Sequence, residues 1–378
     1  MDFTPTEEQA AAQELAARIF GDLATHERLA AVGTGTDAEL WKALCAAGLP
    51  GAVEEIGLLG LVLLAEEQGR TTAQVPFAAS CVYGLLAVAR HGTEEQRERL
   101  LPGLRDGTAV VTGAFPPTGR VRVGADGLLT GTVAWVPWLR DATHVLVPDL
   151  EAALWLVPIA DASAAEPVGR GGPLGRVGPV DRVDPAVRVD PAVRVESVEL
   201  TAPWAAGRLV LDGARGERLG GGEGGHPDPC ADVLAMARVV FAGLQAGVCA
   251  GSLARAVAYT SVREQFGRPL STHQAVQLRA ADAHMDTEAI RVTAYEAAWR
   301  HDQGLPVAEH ALTAAWWASE AGKRVVHAGQ HLHGGMGADL EHPVHRHFLW
   351  GRQLDAYLGC GTELLAELGD LLANGEPV

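Results

Sequence analysis

Cysteine is scarce in this sequence. The 378 residues include only five cysteines, and none of them belongs to a Cys-x-x-Cys pair. An odd and scattered set argues against a disulfide framework and indicates reduced thiols, as in most cytosolic proteins. The opening residues, MDFTPTEEQ, contain no basic stretch followed by an apolar one, so they predict no export signal. We therefore expect a cytoplasmic protein.

Positive charge and long apolar runs are also in short supply. The chain has 30 Lys and Arg against 47 Asp and Glu, a formal net charge of −17. Such a balance disfavours nucleic acid and anionic membranes as partners, although an anionic ligand could still bind at a local basic or helix-terminal site. We see no apolar run of the roughly 18 residues that a membrane helix needs, so we predict neither a nucleic-acid nor a membrane partner.

Hydrophobic periodicity divides the chain into three predicted domains. Residues 1–108 have helical spacing, with Thr93 as a predicted helix cap before Glu94 and Glu95. Residues 109–225 contain short β-branched or apolar runs, such as GLLTGTVAWV, between Gly, Pro and Asp. Residues 226–378 return to long, Ala-rich helices separated by short turns. This order predicts an α+β, mostly α protein with an N-terminal helical domain, a middle β-barrel or sandwich and a C-terminal four-helix bundle. The repeat RVDPAVRVDPAVRV at 182–195 is interpreted as a duplicated surface loop.

Histidines and glycines are concentrated in HLHGGMGADLEHPVHRHF, residues 331–348. His327 and His331 stand four residues apart, which is the helical spacing of two zinc ligands. A zinc site also needs a third ligand and supporting outer-shell contacts, and no recognised motif supplies them. We therefore predict no metal. We expect His342, His345 and His347 to be solvated or to lie at an interface.

Two blocks carry a resemblance to a known family. YTSVREQFGRPLSTHQAVQLRAADAHMDTEAIR, residues 259–291, resembles the helix-turn-helix signature of acyl-CoA dehydrogenases, and QHLHGGMGADLEHPVHRHF, residues 330–348, resembles their glycine turn. WVPWLRDATHVLV and LPGLRDGTAVVTGAF resemble the family's β-domain more loosely. The resemblance covers nearly the whole chain, and it implies the acyl-CoA dehydrogenase fold, an acyl-CoA substrate and FAD as cofactor.

In that family FAD lies across a subunit interface. One subunit's β-domain and bundle hold the isoalloxazine ring, and the neighbour's RxxF and GG segments hold the ADP half. Here an arginine fork could bind pyrophosphate, and glycines without Cβ atoms allow close backbone approach. His331 stands where most members have a glutamine at the adenosine end, with Gln330 one position earlier. The resemblance implies these cofactor-binding residues: Arg263, Gln265, Phe266, Gln274, His331, Gly334 and Gly335.

The family's catalytic base has no counterpart in this sequence. Members remove the substrate's α-proton with a glutamate while flavin N5 accepts a hydride from Cβ. Ungapped matching puts Leu358 at the usual base position, whereas anchoring on Gly361 and Thr362 puts Cys360 there. A second group carries its glutamate 26 residues before the REQFG arginine, where this chain has Ala237. We therefore assign no catalytic residue.

Other losses fall on the side that would hold the flavin ring and the acyl chain. The TEP…GSD segment of the family is reduced here to AFPPTGR, and the PExxGGxG loop to GLPGAVEEIG. The retained residues are those that reach into a neighbour. HLHGGMG, HRHFLW and LGCGTELL resemble the base-lacking subunits of heteromeric acyl-CoA dehydrogenases of steroid side-chain breakdown. The resemblance implies a non-catalytic partner in a heterotetramer that performs FAD-dependent α,β-dehydrogenation of an acyl-CoA thioester.

Two other functions stay open at this stage. The chain could be a self-sufficient dehydrogenase with an unusual base, such as Asp355, Glu363 or the Cys360 thiolate, although a thiol with a pKa near 8.5 is a weak candidate. It could also be a flavin-dependent oxygenase, because one fold supports several chemistries. The adjacent Trp316 and Trp317 predict that at least one indole is exposed for a dimer or dimer of dimers, with a related subunit or with the chain itself.

Overall fold

The computed structural model describes residues 3–116, 121–159, 192–220 and 228–374. Helices form both ends of the chain and β-sheets lie between them, as predicted. The N-terminal helices are α1 (Glu7–Leu23), α2 (His26–Val32), α3 (Ala38–Ala46), α4 (Leu49–Thr71), α5 (Phe77–Ala79), α6 (Ala87–His91) and α7 (Glu94–Asp106), with a π-helical segment at Ser80–Leu86. The repeat at 182–195 lies mostly outside the described residues.

Three of these helices start at a threonine cap, and in two of them the cap is a reciprocal threonine–glutamine pair. The Thr93 hydroxyl accepts a hydrogen bond from the Gln96 amide at 3.2 Å, and the Gln96 side chain accepts one from the Thr93 amide at 3.0 Å. Thr6 and Gln9 form the same reciprocal pair at the start of α1. Both pairs satisfy N–H groups that a helix leaves without partners in its first turn. The predicted cap at Thr93 is therefore confirmed.

The middle segment consists of two four-stranded sheets. Their orders are β1-β4-β5-β8 and β2-β3-β7-β6, and every pairing is antiparallel except that of β1 with β4. One apolar cluster contains residues of both sheets, including Val136 and Val147, which fits the predicted sandwich. The strands are β1 (Val111–Gly113), β2 (Val121–Val123), β3 (Leu129–Val136), β4 (His144–Pro148), β5 (Leu154–Pro158), β6 (Val193–Ser197), β7 (Gly207–Ala214) and β8 (Glu217–Arg218).

The C-terminal segment is helical. A short hairpin of β9 (Glu264–Gln265) and β10 (Arg268–Pro269) separates its first two helices. The predicted domain boundaries, at 108/109 and 225/226, fall near the end of α7 and shortly before α8, and they stay predictions. The helices are α8 (Pro229–Val262), α9 (Gln274–Asp302), α10 (Ala308–Leu332), α11 (Val344–Leu354) and α12 (Gly361–Asn374).

Helix α8 packs against α4 through a row of glycines. Gly243, Gly247 and Gly251 recur every four residues, so they lie on one face of the helix. A Cβ atom on Gly247 would stand 1.9 Å from the carbonyl oxygen of Glu66 in α4, and one on Gly251 would stand 2.3 Å from that of Arg70. The two backbones therefore approach each other more closely than any side chain would allow.

The same helix corrects one expectation from the sequence. By length and composition α8 could cross a membrane, in contrast to the expectation that no apolar run is long enough. Inside the fold, 89% of its apolar stretch is buried. The apolar residues of α8 are thus accounted for by contacts with other parts of this chain.

Trp316 and Trp317 also differ from expectation. Neither indole is exposed: both are half-buried, and their rings contact each other at a centroid distance of 5.1 Å. Trp316 packs with Leu364 and Leu368 of α12, and Trp317 packs against the main core. The prediction of an exposed tryptophan is wrong, because α12 covers Trp316 and the main core covers Trp317.

The end of α9 holds a kink in α4. Gly57 interrupts α4 with φ 73° and ψ −170°, which frees the amides that follow. The Asp302 carboxylate, the last residue of α9, accepts hydrogen bonds from the amides of Leu58 at 2.8 Å and Leu59 at 2.9 Å. Asp302 therefore caps the second half of α4 from another domain.

A buried carboxylate joins three further elements. Asp232, in the first turn of α8, contacts His91 Nε2 at 2.9 Å and accepts a hydrogen bond from Arg90 Nε at 3.0 Å, both on α6. His301 Nε2, near the end of α9, lies 3.5 Å from the same carboxylate. Burial alone would lower the pKa of His301, but the carboxylates of Asp232 and Asp302, whose oxygens lie 3.5 Å and 3.8 Å from its ring nitrogens, raise it above its ordinary value. Burial would raise the pKa of Asp232, yet the nearby His301, the contact with His91 and the charge of Arg90 hold it well below its usual range.

These shifts predict a pH-dependent stability. A raised histidine pKa stabilises the fold fully below the unfolded value of about 6.5, and this contribution is lost as pH rises through the folded pKa. The depressed Asp232 pKa contributes above the unfolded value of about 3.9 and is lost on acidification. We expect His301→Ala to lower the free energy of unfolding by about 1–3 kcal/mol near pH 5.5, and by less near pH 8.5. Urea unfolding at both pH values measures this.

The matched control is His284→Ala, which removes an exposed histidine from the same helix. It should change the free energy of unfolding little at either pH. Equal destabilisation by His301→Ala at both pH values would show that the side chain acts by packing alone and not by its charge.

Candidate functional site

The hairpin between α8 and α9 presents an aromatic ring to solvent. Phe266 and Gly267 form its two-residue turn and both have positive φ, 56° and 76°. That pair of conformations is typical of tight hairpins but is unusual for phenylalanine. The Phe266 side chain is 91% exposed, and its ring meets His273 edge-on at 6.0 Å. The ring is thus held on the surface and available to another molecule.

Exposed polar residues flank Phe266 in the sequence. The Arg263 amide ends α8 with a bond to the Tyr259 carbonyl at 2.9 Å, and its exposed guanidinium has no hydrogen bond or ion pair with any residue that the structure describes. Gln265 is exposed in the hairpin, and Gln274 is exposed at the first position of α9. A helix N-terminus and a guanidinium both favour a negatively charged ligand.

The glycine turn lies at the end of α10. Gly334 opens a 3₁₀ turn, Gly334–Ala338, with φ 61°, a value that favours glycine. A Cβ atom on Gly334 or on Gly335 would meet nothing within 4 Å, and His331 is exposed beside them. The backbone of this turn is therefore open to close approach from outside.

One contact joins the turn to the end of α8. The buried His333 ring stacks on Tyr259 at 4.9 Å, and its Nδ1 lies 2.7 Å from the Gly329 carbonyl oxygen. The backbone carbonyl of Tyr259 in turn accepts a hydrogen bond from the Arg263 amide. The two sequence blocks predicted to bind the cofactor are thus joined through the contact between Tyr259 and His333.

The remaining histidines do not form a metal site in the described part of the chain. No group of three His, Cys, Asp or Glu side chains there is placed to hold an ion. His327 packs edge-on against Phe348 at 4.9 Å. His342 and His345 are half-buried, but His347 is buried, with Nε2 3.0 Å from the Arg70 carbonyl oxygen. Burial lowers the pKa of His347 to about 4, so the expectation that His347 is solvated or interfacial is wrong.

A cleft of about 980 Å³ lies between the β-domain and the C-terminal helices. The predicted base positions do not bring a carboxylate to it: Leu358 and Ala237 are buried, and Cys360 contacts the Thr362 hydroxyl at 3.3 Å. Glu363 is the one carboxylate on the described wall. The residues that line it are Phe115, Pro116, Thr132, Val133, Ala134, Trp135, Arg208, Ala356, Tyr357, Gly359 and Glu363.

The cleft wall continues into a buried aromatic cluster. The Tyr357 hydroxyl is 2.9 Å from the hydroxyl of Tyr83, which belongs to the π-helical segment. Burial raises the pKa of both phenols above their ordinary value, so both are neutral donors and acceptors for each other. Tyr83 stacks on Phe115 at 5.3 Å, and Tyr357 meets Trp135 at 5.7 Å.

Two other carboxylates considered as bases, those of Asp355 and Glu363, are hydrogen-bonded to groups of the chain itself. Asp355 is buried, accepts the Ser319 hydroxyl at 2.7 Å and pairs with Arg352 at 3.0 Å. Glu363 accepts the Cys360 amide at 3.0 Å, and this bond lowers the pKa of its carboxyl. A carboxylate with a lowered pKa is a weaker base.

The two regions fit FAD unequally. The surface around Arg263 offers an unpaired cation, an exposed ring and open glycine backbone, which suit a nucleotide with a pyrophosphate. Among the described side chains of the cleft wall, the Thr132 hydroxyl and the Trp135 indole N–H have no hydrogen-bond partner and Arg208 has only a 3.5 Å ion pair with Glu196, whereas Tyr357 and Glu363 are hydrogen-bonded within the chain. The described residues therefore suit the ADP half of FAD better than the polar edge of its ring.

The sequence predicts the surface around Arg263 but not the cleft, whose wall combines residues far apart in sequence. The glycine row does have a local signal, the pattern G-x-x-x-G-x-x-x-G in GLQAGVCAG, residues 243–251.

Known proteins resemble this chain over its full length. Family models for the acyl-CoA dehydrogenase N-terminal and C-terminal domains match residues 6–108 and 230–366. Acyl-CoA dehydrogenase FadE27 of Mycobacterium tuberculosis (strain ATCC 25618 / H37Rv) is 31% identical, covering 99% of each chain. A variant of the Tcur3481-Tcur3483 steroid ACAD is 38% identical with a TM-score of 0.83 over 98% of both chains. A chain of the ChsE4-ChsE5 complex from Mycobacterium tuberculosis is 30% identical to this chain, with a TM-score of 0.85 over 100% of both chains. The chain belongs to the acyl-CoA dehydrogenase family.

Proposed function

We propose that this chain is the non-catalytic subunit of a cytoplasmic, heteromeric acyl-CoA dehydrogenase. In this proposal a related subunit supplies the catalytic base, and the pair assembles as a heterotetramer. The observation that carries it is the contrast between an open, unpaired Arg263 surface and base positions filled by Leu358, Cys360 and Ala237. Two structural relatives are described as a complex or by a paired name, which supports a partner subunit.

The chain's part in the reaction is to bind cofactor for its partner. Members of the family bind FAD, and FAD accepts the hydride removed from the acyl group. Arg263 would pair with the pyrophosphate, and Phe266 would cover an apolar face of the nucleotide. Gln265, Gln274 and His331 would donate hydrogen bonds, and Gly334 and Gly335 would allow close approach.

We propose an acyl-CoA thioester with a steroid side chain as the substrate of the complex. The support is the description of one relative as a steroid ACAD, together with the sequence blocks HLHGGMG, HRHFLW and LGCGTELL. Turnover of steroid and straight-chain acyl-CoA thioesters by the purified complex, compared at equal concentrations, tests this choice. Faster turnover of the straight-chain thioester would contradict it.

Arg263 gives the direct test of cofactor binding. Arg263→Ala should remove a charge-assisted contact worth about 1.5–3 kcal/mol, and so weaken FAD binding by the complex roughly tenfold or more. The absorbance of bound flavin per complex measures this after co-expression with a related subunit.

Arg268→Ala is a matched control, because Arg268 is an exposed arginine of the same hairpin whose guanidinium contacts His273 at 3.2 Å. It should leave the FAD content close to that of the wild type. Unchanged FAD content in Arg263→Ala would rule out the proposed contact.

The surface for a partner subunit is suggested by α9. Leu278, Met285 and Val292 are 57%, 62% and 47% exposed and recur every seven residues, so they form one stripe. We expect Met285→Lys to dissociate the complex, because it would bury a charge in an apolar contact. Light scattering at micromolar concentration measures the assembly.

Leu150→Lys serves as the control, since Leu150 is 54% exposed next to β4, in the β-domain. It should leave the assembly intact. A complex that survives Met285→Lys would place the interface elsewhere.

A self-sufficient dehydrogenase is the second candidate. The observation in its favour is that Glu363 lines the cleft. The lowered pKa of its carboxyl and its bond to the Cys360 amide weaken it as a base. The two candidates differ in whether the purified chain alone is active, and in whether that activity depends on Glu363.

A further inference from the structure

An arginine of α11 is buried without a carboxylate partner. Arg346 is 8% exposed, and its Nη2 donates a hydrogen bond to Oε1 of the uncharged Gln74 at 2.8 Å. No Asp or Glu side chain in the described part of the chain forms an ion pair with it. Burial lowers the pKa of this guanidinium to about 10, so it stays charged near pH 7. A buried charge costs free energy unless a group of opposite charge neutralises it.

The carboxylate of Asp37 belongs to this region but is already paired. The Asp37 amide donates to the Gln74 carbonyl oxygen at 2.8 Å. Its carboxylate accepts two hydrogen bonds of 2.6 Å from Arg28 and another of 3.1 Å from the Leu40 amide. Because these bonds fix the carboxylate at the start of α3, it does not neutralise the charge of Arg346.

Three buried donors of this region lack an acceptor among the residues that the structure describes. They are Arg346 Nε, Trp204 Nε1 and Trp350 Nε1. Trp350 follows Arg346 by about one turn of α11, and its ring meets that of Trp204 edge-on at 5.3 Å and 88°. In such a pair at most one indole N–H can point at the other ring, so at least one is left without an acceptor. Buried donors in native proteins are almost always satisfied, which indicates a bound ligand or water here.

The loop before α3 connects the arginine to the tryptophans by a second route. Gln74 Nε2 donates to the Gly35 carbonyl oxygen at 2.7 Å, and the Gly35 amide donates to the Pro203 carbonyl oxygen at 3.2 Å, next to Trp204. Since Arg346 bonds to Gln74, contacts lead from it to Trp204 both along α11 and through this loop. The three donors therefore belong to one buried region, and none of their residues lines the cleft.

We propose that Arg346, Trp204 and Trp350 enclose a small monovalent anion, a halide such as chloride or bromide. One negative charge neutralises one guanidinium, whereas a divalent anion would leave an excess charge buried. The positive edges of the indole rings also suit a halide. A water molecule would satisfy the indole N–H groups but would leave the charge of Arg346 unbalanced. The site goes beyond the proposed function: the anion would hold α11 against the N-terminal domain and the β-domain.

The test uses the purified full-length chain, with sodium bromide replacing sodium gluconate at constant ionic strength. An anion that binds only the folded state stabilises it. Relative to Arg346→Met, which removes the charge but keeps an unbranched side chain, the wild-type melting temperature should rise with bromide and level off. Quenching of tryptophan fluorescence by bound bromide should follow the same saturation curve. Trp350→Phe keeps an aromatic ring and removes one donor, so it should weaken bromide binding about tenfold.

Arg238→Met is the matched control. Arg238 is 7% exposed, similar to Arg346, but it is paired with Glu367 at 2.8 Å, so this variant should keep the bromide response. Equal responses of the wild type and Arg346→Met, or no saturation in the wild type, would overturn the proposal and assign the three donors to water. If Arg346→Met does not fold, unchanged bromide affinity in Trp350→Phe would overturn it. These outcomes are independent of the FAD content of Arg263→Ala complexes, which tests the proposed function separately.

Discussion

The purified chain is expected to dehydrogenate acyl-CoA about 10² to 10⁴ times more slowly than its complex with a base-carrying subunit, which is the typical effect of a missing general base. Leu358 and Ala237 cannot accept a proton, and both are buried. Reduction of an electron-accepting dye, with FAD supplied in excess, measures the rate for the chain alone and for the complex.

Glu363→Gln separates the two candidate functions. It keeps the size of the side chain and removes the carboxylate that lines the cleft. In the proposed function it leaves the rate of the complex nearly unchanged. If the chain alone turned over acyl-CoA at an ordinary rate, and this variant abolished that rate, the chain would be a self-sufficient dehydrogenase with Glu363 as its base.

The second large effect concerns stability. Gly247→Ala should lower the free energy of unfolding by about 3 kcal/mol or more, the upper end of typical overpacking costs. The added methyl would stand 1.9 Å from the Glu66 carbonyl oxygen and 2.9 Å from the Arg70 amide nitrogen. Both are backbone atoms of α4, so no side chain can move aside. Urea unfolding followed by circular dichroism measures the change.

Gly369→Ala provides the comparison within a helix. Gly369 lies in α12, and a Cβ atom there would meet nothing within 4 Å. Because alanine favours helix over glycine by about 1 kcal/mol, this variant should be neutral or stabilising. Similar stability changes in both variants would mean that helix propensity, and not the α4–α8 contact, controls the result.

Local patterns predicted the elements well. Thr93 was recognisable as a cap because its partner Gln96 lies only three residues away, and such a signal is complete within one turn. The change from helical to strand periodicity similarly predicted two helical segments around a β-domain. Each of these signals depends on neighbours in sequence.

Features made by distant contacts were not predictable in this way. His347 belongs to a histidine-rich, polar segment, yet its side chain is buried. Its Nε2 lies within hydrogen-bond distance of the carbonyl oxygen of Arg70, which is far away in sequence. Trp316 is covered by α12, and nothing near it in sequence indicates that contact. The cleft depends on the meeting of β3 with the segment that follows α11. The proposed cofactor-binding residues are all exposed, as a contact with a ligand requires, and their role stays a prediction.

The capping of α4 by Asp302 means that α9 connects the hairpin, at one end, to the kink of α4, at the other. A straight helix of 29 residues is roughly 44 Å long. Its first residue, Gln274, lies beside the hairpin, and its last, Asp302, is bonded to the amides of Leu58 and Leu59. The kink of α4 therefore depends on a residue that lies more than 240 positions further along the chain. Hydrogen exchange at the amides of Leu58 and Leu59 would report whether the end of α9 stays in contact with α4.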